Sequence, residues 1–493
     1  MAESTLGHTQ RPSLIGTVAS KEFMEIRRDG RFRWTAALMV LLLLTALLTG
    51  WQRFADFSNI QAAAQGKTNE QWLKQGDKNP HSAAHFGNYA FKKAGPLSFF
   101  DNGIEPFTGS LLFMEAHKQN LAISRPANDL SAVSRFGDLN GAMILQVLMP
   151  LLIIFLGFTA FAGERERGTL RQLMSMGVNA RELMWGKAIG IGGAAALVIL
   201  PCVVLGALAI AAFTVPVTAD AFWARIGLMT LAYTLYGLIF LFLTLAVSAV
   251  ARTPRAALMA MVGFWAFSAF LAPKAASEIS KMAHPSPSYG EFEASVRTDQ
   301  VRGLDGVPTA AKFGKYVREL MTQYGVDNPT KLPIYFPAVR MQKLEDLDHE
   351  VFDHHFNNLR ASYLAQRRMQ DSFGVVAPML PLKSLSMGLS GTDLLHHDTF
   401  TRAAESHRRN MVEKMNGYLG KAAVDLNGKS NSSNYMTADE AVFAIVPPFE
   451  YAPPSLKDVL DEYGADLAIL GAWTLASILL AAAAVRRLRP DAR

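Results

Sequence analysis

The sequence predicts a mainly α-helical, polytopic membrane protein: six transmembrane helices and a large, mostly helical extracytoplasmic domain built from two insertions. Three observations lead there. Half of the 493 residues are hydrophobic and the mean hydropathy is slightly positive, whereas a soluble chain of this length reads as more polar. The apolar residues gather into blocks near the ~20 residues that cross a hydrocarbon core of roughly 30 Å. Basic residues flank alternate connections between those blocks, the signature of the side that stays in the cytoplasm.

Taken in order, residues 1–33 form a polar leader, in which Lys21, Arg27, Arg28, Arg31 and Arg33 precede the first block. That block, 34–51, contains Leu38-Met-Val-Leu-Leu-Leu-Leu44. A cleaved signal peptide is disfavoured, because its leader is too long and no small-x-small site follows Trp51. The second span covers 141–162. The third to fifth lie within 188–272, at about 188–213, 224–250 and a weaker 256–272. The sixth covers 467–485.

Charge orients the bundle. Arg165, Arg167, Arg171, Arg181 and Lys187 lie between spans two and three, Arg252 and Arg255 after span four, and Arg486, Arg487, Arg489 and Arg493 in the tail at 486–493. The short opposite connection, 214–222, has only Asp220. Both termini are therefore expected in the cytoplasm.

Two long polar segments, 52–140 and 273–466, fall outside, and segments of that length cross largely regardless of charge. The first, rich in Gly, Asn and aromatic residues, reads as mixed loop and short helix. In the second, Leu344, Leu347, Val351, Phe352, Phe356, Leu359, Tyr363 and Met369 recur at helical steps over 339–373. A further helix is expected over 399–420, opened by Asp398-Thr399. Proline clusters at 285–287, 378–381, 447–448 and 453–454 mark turns, and 427–434 is a polar loop.

The net charge of +6 is spent largely beside apolar blocks, and no basic, aromatic-interleaved module for nucleic acid is present. A single cysteine, Cys202, excludes an intrachain disulfide. The fourth span carries Tyr233, Thr234, Tyr236 and Thr244, read as helix–helix hydrogen bonds more readily than as a substrate route. Arg225 and Lys274 are expected to snorkel at the outer boundary.

The most informative stretch is 163–187. Physically it is a charged short helix, a Gly177-Val-Asn179 turn and a second amphipathic helix, able to press Leu170, Leu173 and Met174 into a groove on a cytosolic partner. The order Glu164-Arg165-Glu166-x-Gly168-Thr169-Leu170, then Arg181-Glu182-Leu183 and Gly186-Lys187, resembles the cytoplasmic coupling loop of type-2, exporter-type ABC transporter permeases. Residues 21–28 look like that family's amphipathic connecting helix. The phrases 85–91, 97–103, 115–120, 389–393 and 400–408 are similar to a subgroup with a large extracytoplasmic domain of unassigned function.

The resemblance implies a permease subunit in a bacterial inner membrane, moving an unidentified substrate. Glu164, Arg165, Glu166, Gly168, Thr169, Leu170, Leu173, Arg181, Glu182 and Lys187 would couple it to an ATPase. Implied partners are two copies of that ATPase, a second permease (identical or homologous), membrane lipid, and a periplasmic or outer-membrane partner. ATP and Mg are expected on the ATPase, because no Gly-x-x-x-x-Gly-Lys-Ser/Thr loop exists here: the upstream glycine is Gln61 before Gly66-Lys67-Thr68 and Ala423 before Gly428-Lys429-Ser430.

Two other readings stand beside it. The large outer segments suit a mechanical transmission subunit acting on a periplasmic partner. The run His349-Glu-Val-Phe-Asp353-His354-His355 is a near miss to His-Glu-x-x-His. Its His349, Asp353 and His354 are candidate ligands for a membrane-anchored metal-dependent hydrolase. Against that, no full ligand set is spelled out, and such residues are ordinary on a solvated helix face. Residues 396–398 and His407 form a second polar group.

Overall fold

The computed structural model describes residues 14–124, 139–212, 221–422 and 436–488. Most of the connection 214–222 with Asp220, the loop 427–434, the Cys202 side chain, Arg489 and Arg493 lie outside the described residues. Helix α1, Leu14–Arg28, is followed at once by α2, Gly30–Leu73. Asp29 separates them: its backbone is extended and its side chain accepts from Arg31 N–H, a cap that restarts the helix.

Helix α2 departs from the sequence reading. It has 44 residues, so at about 1.5 Å per residue it is roughly 66 Å long, more than twice a ~30 Å hydrocarbon core. The first part of the segment read as mixed loop and short helix is thus a continuation of one long helix. It contains no proline, and its aromatic residues Trp51, Phe54 and Trp72 find partners elsewhere in the chain. Trp51 and Phe54 meet the Phe99 ring. Trp72 stacks edge-on against Phe443 and donates Nε1–H to the Phe443 carbonyl at 3.0 Å. Gly50 permits the close approach, since a Cβ there would lie 2.1 Å from the Phe99 carbonyl oxygen.

Short helix α3, Pro80–Phe86, leads into strand β1, Asn88–Phe91. After the single turn α4, Glu105–Thr108, comes strand β2, Leu111–Met114, antiparallel to β1 with Asn88 opposite Met114 and Phe91 opposite Leu111. The chain then re-enters the bundle as α5, Gly141–Gly157, capped by the Asn140 side chain. Helices α6, Ala162–Glu166, and α7, Thr169–Ser175, form the turn at its far end. They are followed by α8, Ala180–Ala212, and α9, Phe222–Val250.

The fifth apolar segment begins at α10, Pro254–Ala266, behind the Thr253 cap. It does not end at Ala272, before Pro273, as the hydropathy suggested. A π turn over Phe267–Leu271, closed by Ala272 N–H to the Phe267 carbonyl, absorbs the missing proline donor. Helix α11, Ala272–Ala283, continues the same run.

The second insertion holds α12, Tyr289–Arg302, α13, Thr309–Gln323, α14, Phe336–Ser372, α15, Met379–Ser390, and α16, Leu394–Ala422. Helix α16 opens at Asp393 rather than at Asp398. The Asp393 carboxylate accepts from the backbone N–H groups of Leu395 and His396, satisfying donors that a helix start leaves free. After α17, Glu440–Phe443, a Ser455/Asp458 capping box starts α18, Leu456–Arg486.

The fold is that of a mainly α polytopic membrane protein. Among the described residues, six helical runs are long and apolar enough to cross a bilayer. Helix α9 lies inside the bundle against α18, α5 and α15, burying Tyr236, Ile239, Phe240 and Leu245. The two insertions share one body: Trp72 and Ala83 of the first pack with Met411, Met415 and Phe443 of the second. Ala90, Leu112 and Met114 likewise pack with Phe400 and Tyr451.

Candidate functional site: the charged hairpin at the bundle end

The bundle end opposite the insertions is built around Ser248, near the C-terminus of α9. Its Oγ accepts from the N–H groups of Phe161 and Ala162 and donates to the Phe158 carbonyl, at 2.8–3.1 Å. One hydroxyl thus satisfies the turn from α5 into α6. Next along α6, the Arg165 guanidinium donates to the carbonyl oxygens of Ala249 and Ala251, both at 2.5 Å. A cation at these free carbonyls closes the C-terminal end of α9.

Gly168, at φ 74°, turns the chain in the left-handed region that favours glycine and starts α7. Gly177, at φ 82°, ends it. Asn179 then accepts from Arg181 N–H at 3.0 Å, while Glu182 accepts from Asn179 N–H at 3.4 Å, a reciprocal start for α8.

Within this frame lies a buried charge cluster. Lys187 of α8 is 1% exposed. Its Nζ donates to Glu22 Oε2 of α1 at 3.0 Å and to Glu164 Oε1 of α6 at 2.9 Å. Lys21 Nζ stands 3.9 Å from the same Glu164 oxygen. Three segments distant in sequence are therefore tied by one ammonium group. Backbone proximity makes this feasible. A Cβ on Gly186 would lie 2.6 Å from Val18 Cβ, and one on Gly190 would lie 2.7 Å from Glu22 Cβ and 2.8 Å from the Ala19 carbonyl oxygen. Glycines four apart let α1 lie directly on α8.

The structure sorts the sequence-selected residues into three groups. Glu164, Leu170 and Lys187 are buried, and Leu170 and Leu173 pack on the bundle core. Arg165, Thr169, Leu173 and Glu182 are half-buried, with Thr169 Oγ1 donating to the Glu164 carbonyl at 3.2 Å. Glu166, Gly168 and Arg181 are exposed, together with Arg167, Arg171 and Met176. The exposed surface thus includes Glu166, Arg167, Gly168, Arg171, Met176 and Arg181, while Glu164, Leu170 and Leu173 face the interior. Glu22 was not singled out in the sequence. Its only signal is an acidic residue on the face of α1 that also carries Val18 and Ile26.

Other candidates separate. His349, Asp353 and His354 do not converge. His349 Nε2 lies 3.5 Å from Glu345, the Asp353 carboxylate is held by Arg409 at 2.7 and 3.0 Å, and His354 bonds Asn358 at 3.0 Å. Of the three, only Asp353 reaches α16, through Arg409, while His354 is exposed and bonds within α14. Arg225 does not snorkel. It is buried, donating to the carbonyl oxygens of Leu389 and Pro454 at 3.2 and 3.0 Å, because α15 covers the start of α9. Lys274 is exposed and paired with Glu278 at 2.7 Å.

The polar residues of α9 bond within the protein. Tyr233 OH accepts from Gln146 Nε2 at 3.0 Å and contacts Ser386 Oγ at 3.1 Å. Tyr236 OH donates to the Gln146 carbonyl at 3.0 Å. Thr234 and Thr244 donate to carbonyls one turn back.

Comparison with known proteins joins this architecture to a family. The chain is similar to the probable ABC transporter permease protein NosY of Pseudomonas aeruginosa, 34% identical over 120 residues, which are 24% of this chain and 44% of that protein. It is also similar to the probable ABC transporter permease protein NosY of Stutzerimonas stutzeri, 32% identical over 124 residues, 25% of this chain and 45% of the relative. The matches thus span less than half the length of either relative. The family model for "ABC-2 family transporter protein" matches residues 16–382, from α1 through all of the hairpin and into α15. With most of its length inside that match, the chain belongs to the ABC-2 transporter family.

Proposed function

We propose that the chain is the permease subunit of an ATP-driven transporter in a bacterial inner membrane, with its ATPase on a separate polypeptide. In this reading the hairpin end, α1 and the end of α18 face the cytoplasm, and the insertion domain faces outward. Two chains, or this chain and a homologous permease, pair above two ATPases that carry ATP and Mg.

One observation carries the reading. The segment 166–181, whose charged residues are exposed, is wired to the spans at both ends, by Arg165 to the end of α9 and by Lys187 to Glu22 and Glu164. A push on that surface reaches α5, α8, α9 and α1 together, which suits a docking element for a motor. Charge reversal at exposed positions, Glu166→Lys with Arg181→Glu, should reduce co-purification with the ATPase at least tenfold while the chain still folds. Unchanged co-purification and ATPase stimulation would remove the docking role.

A second reading is favoured by α2. One uninterrupted helix runs from the Asp29 cap at the hairpin end to Trp72 in the insertion core, the form of a push-rod between the two ends. In this reading ATP moves the insertion domain against an outer partner without passing cargo through the spans. Inserting Gly-Gly-Ser after Ala63 should abolish nucleotide-driven movement of the insertion domain, read by paired spin labels. Transport that survives the insertion would favour the permease reading.

A further inference from the structure

A histidine cluster in the insertion domain is used by neither reading. His81 and His85 are one turn apart on α3, and His117 follows β2 in the turn that bridges Glu115 and Lys118. The three ring centroids form a near-equilateral triangle with sides of 4.8, 4.9 and 5.1 Å. One ring nitrogen from each lies within 4.8 Å of the others.

The rings are aimed by their neighbours. His81 Nδ1 lies 2.8 Å from Asn416 Oδ1, and the Asn416 amide in turn donates to Gln342 Oε1 at 3.1 Å. His117 Nδ1 lies 2.6 Å from Glu345 Oε1, which also accepts the His117 backbone N–H at 2.6 Å. Glu345 is fully buried, with Arg408 at 3.5 Å. An ionised carboxylate and an amide oxygen can only accept, so each Nδ1 carries the proton. The two Nε2 atoms that face each other at 3.2 Å are then both lone-pair donors in the neutral rings. Two lone pairs at that separation repel unless a shared proton or a metal cation lies between them. A ring whose far nitrogen donates to a carboxylate or amide oxygen is also the usual outer partner of a metal-bound histidine.

Backbone geometry adds an independent mark. His117 has φ 64°, a left-handed conformation that a non-glycine residue holds only where its surroundings over-determine it. Ala116 N–H to the Ala84 carbonyl at 3.1 Å fastens that turn to α3. Gly87, at φ 71°, lets the chain reverse under it, since a Cβ there would lie 2.6 Å from the Phe113 ring. His85 is exposed while His81 is buried, so the triangle has an open side toward solvent.

We propose that His81, His85 and His117 form a three-imidazole site for a late first-row divalent cation, zinc(II) as the type, with its fourth position open to water. Imidazole ligands and a ligand count of three with one free position suit that class. The site lies on a seam. Its ligands belong to the first insertion, and the residues that aim them, Glu345, Asn416 and Arg408, belong to the second. A bound cation therefore fastens α3 and the β2 turn to α14 and α16. This holds whether the chain moves cargo or transmits force.

The test uses the full-length chain in detergent, stripped with EDTA, titrated with zinc chloride and passed over a sizing column before metal analysis. One zinc per chain is expected to remain, with a rise in melting temperature on zinc addition. Cobalt(II) in its place should give the visible ligand-field bands of a four-coordinate site. His85→Ala removes an exposed ring and should weaken zinc binding about a hundredfold or more, abolish the melting shift and lose the cobalt bands. His117→Asn, which tolerates the left-handed backbone and keeps a donor toward Glu345, should do the same should His85→Ala fold poorly. A His354→Ala/His355→Ala control should bind zinc as the wild type does. A wild-type chain retaining under a tenth of an equivalent, a His85→Ala chain equal to wild type, or loss only in the His354/His355 control would each overturn the site.

Discussion

Lys187 and Glu22 are 165 positions apart in the chain and 3.0 Å apart in the fold, and their contact fastens α1 to α8 beneath the bundle. Glu164 completes the cluster from a third segment at 2.9 Å. A buried ammonium shared between two carboxylates ties these segments in one arrangement, and its removal leaves charge without compensation.

Lys187→Met is therefore expected to destabilise the chain by about 3–5 kcal/mol, the usual cost of orphaning a buried ion pair. Adding Glu22→Gln and Glu164→Gln to the same chain should restore most of that loss. Thermal unfolding in detergent measures both, and a single-variant loss under ~1 kcal/mol would show that the cluster is dispensable.

Gly190→Val probes the contact beside it. The new side chain would meet Glu22 Cβ and the Ala19 carbonyl oxygen, so α1 must lift from α8 at a cost of about 1–3 kcal/mol. Protease cleavage after Lys21 or Arg27 should accelerate in the variant, and an unchanged digestion rate would contradict the close packing.

Arg408 is fully buried on α16, donating to Glu405 at 2.7 and 2.8 Å and to the Glu115 carbonyl at 3.2 Å. Arg408→Met should cost about 3–5 kcal/mol, because Glu405 and Glu345 lose their shared counter-charge. Hydrogen exchange should rise in α14 and α16 while the bundle helices stay protected; uniform exchange would argue against a locally confined role.

Asp393 links stability to pH. Burial works against its ionisation, but the His396 hydrogen bond and charge, with the Tyr463 hydroxyl, overcome it and hold the carboxyl below its ordinary value. A depressed folded-state pKa contributes stability that is fully present above the unfolded value near 4 and is lost as pH falls through the folded value. Asp393→Asn should therefore be less stable than wild type at pH 7, and the gap should narrow as pH falls below about 4. Melting curves across that range check the sign, and a gap that widens in acid would contradict it.

Hydropathy made the bundle legible. Runs near 20 apolar residues have few ways to satisfy their backbone in lipid other than helix, and the described residues contain six such runs. The same measure misjudged α2, because hydropathy falls after Gly50 while the helix does not end. Its persistence depends on Trp51, Phe54 and Trp72 finding Phe99 and Phe443, up to 371 residues away. It also ended the fifth span at Ala272, where a π turn just before it carries the run on into α11.

The candidate site was readable as a place but not as a mechanism. Glu164, Arg165 and Lys187 stand out in sequence as charges at span boundaries, and composition makes such charges look exposed. Only the approach of α1, allowed by Gly186 and Gly190, turns Glu164 and Lys187 inward. The histidines show the converse. His349 and Asp353 share a helical face by spacing, yet Arg409 engages Asp353, and His354 bonds Asn358 instead. His81, His85 and His117 share no local pattern beyond one turn of α3, and a hairpin brings them together.

From its sequence alone this protein is determined to be a helical membrane bundle with bulky polar insertions, since backbone polarity in an apolar solvent is a local demand that each segment meets by itself. Tertiary structure alone decided which charges are buried, where α2 ends and which imidazoles converge. Those outcomes depend on pairs of groups that are remote along the chain, and no segment carries the position of its partner.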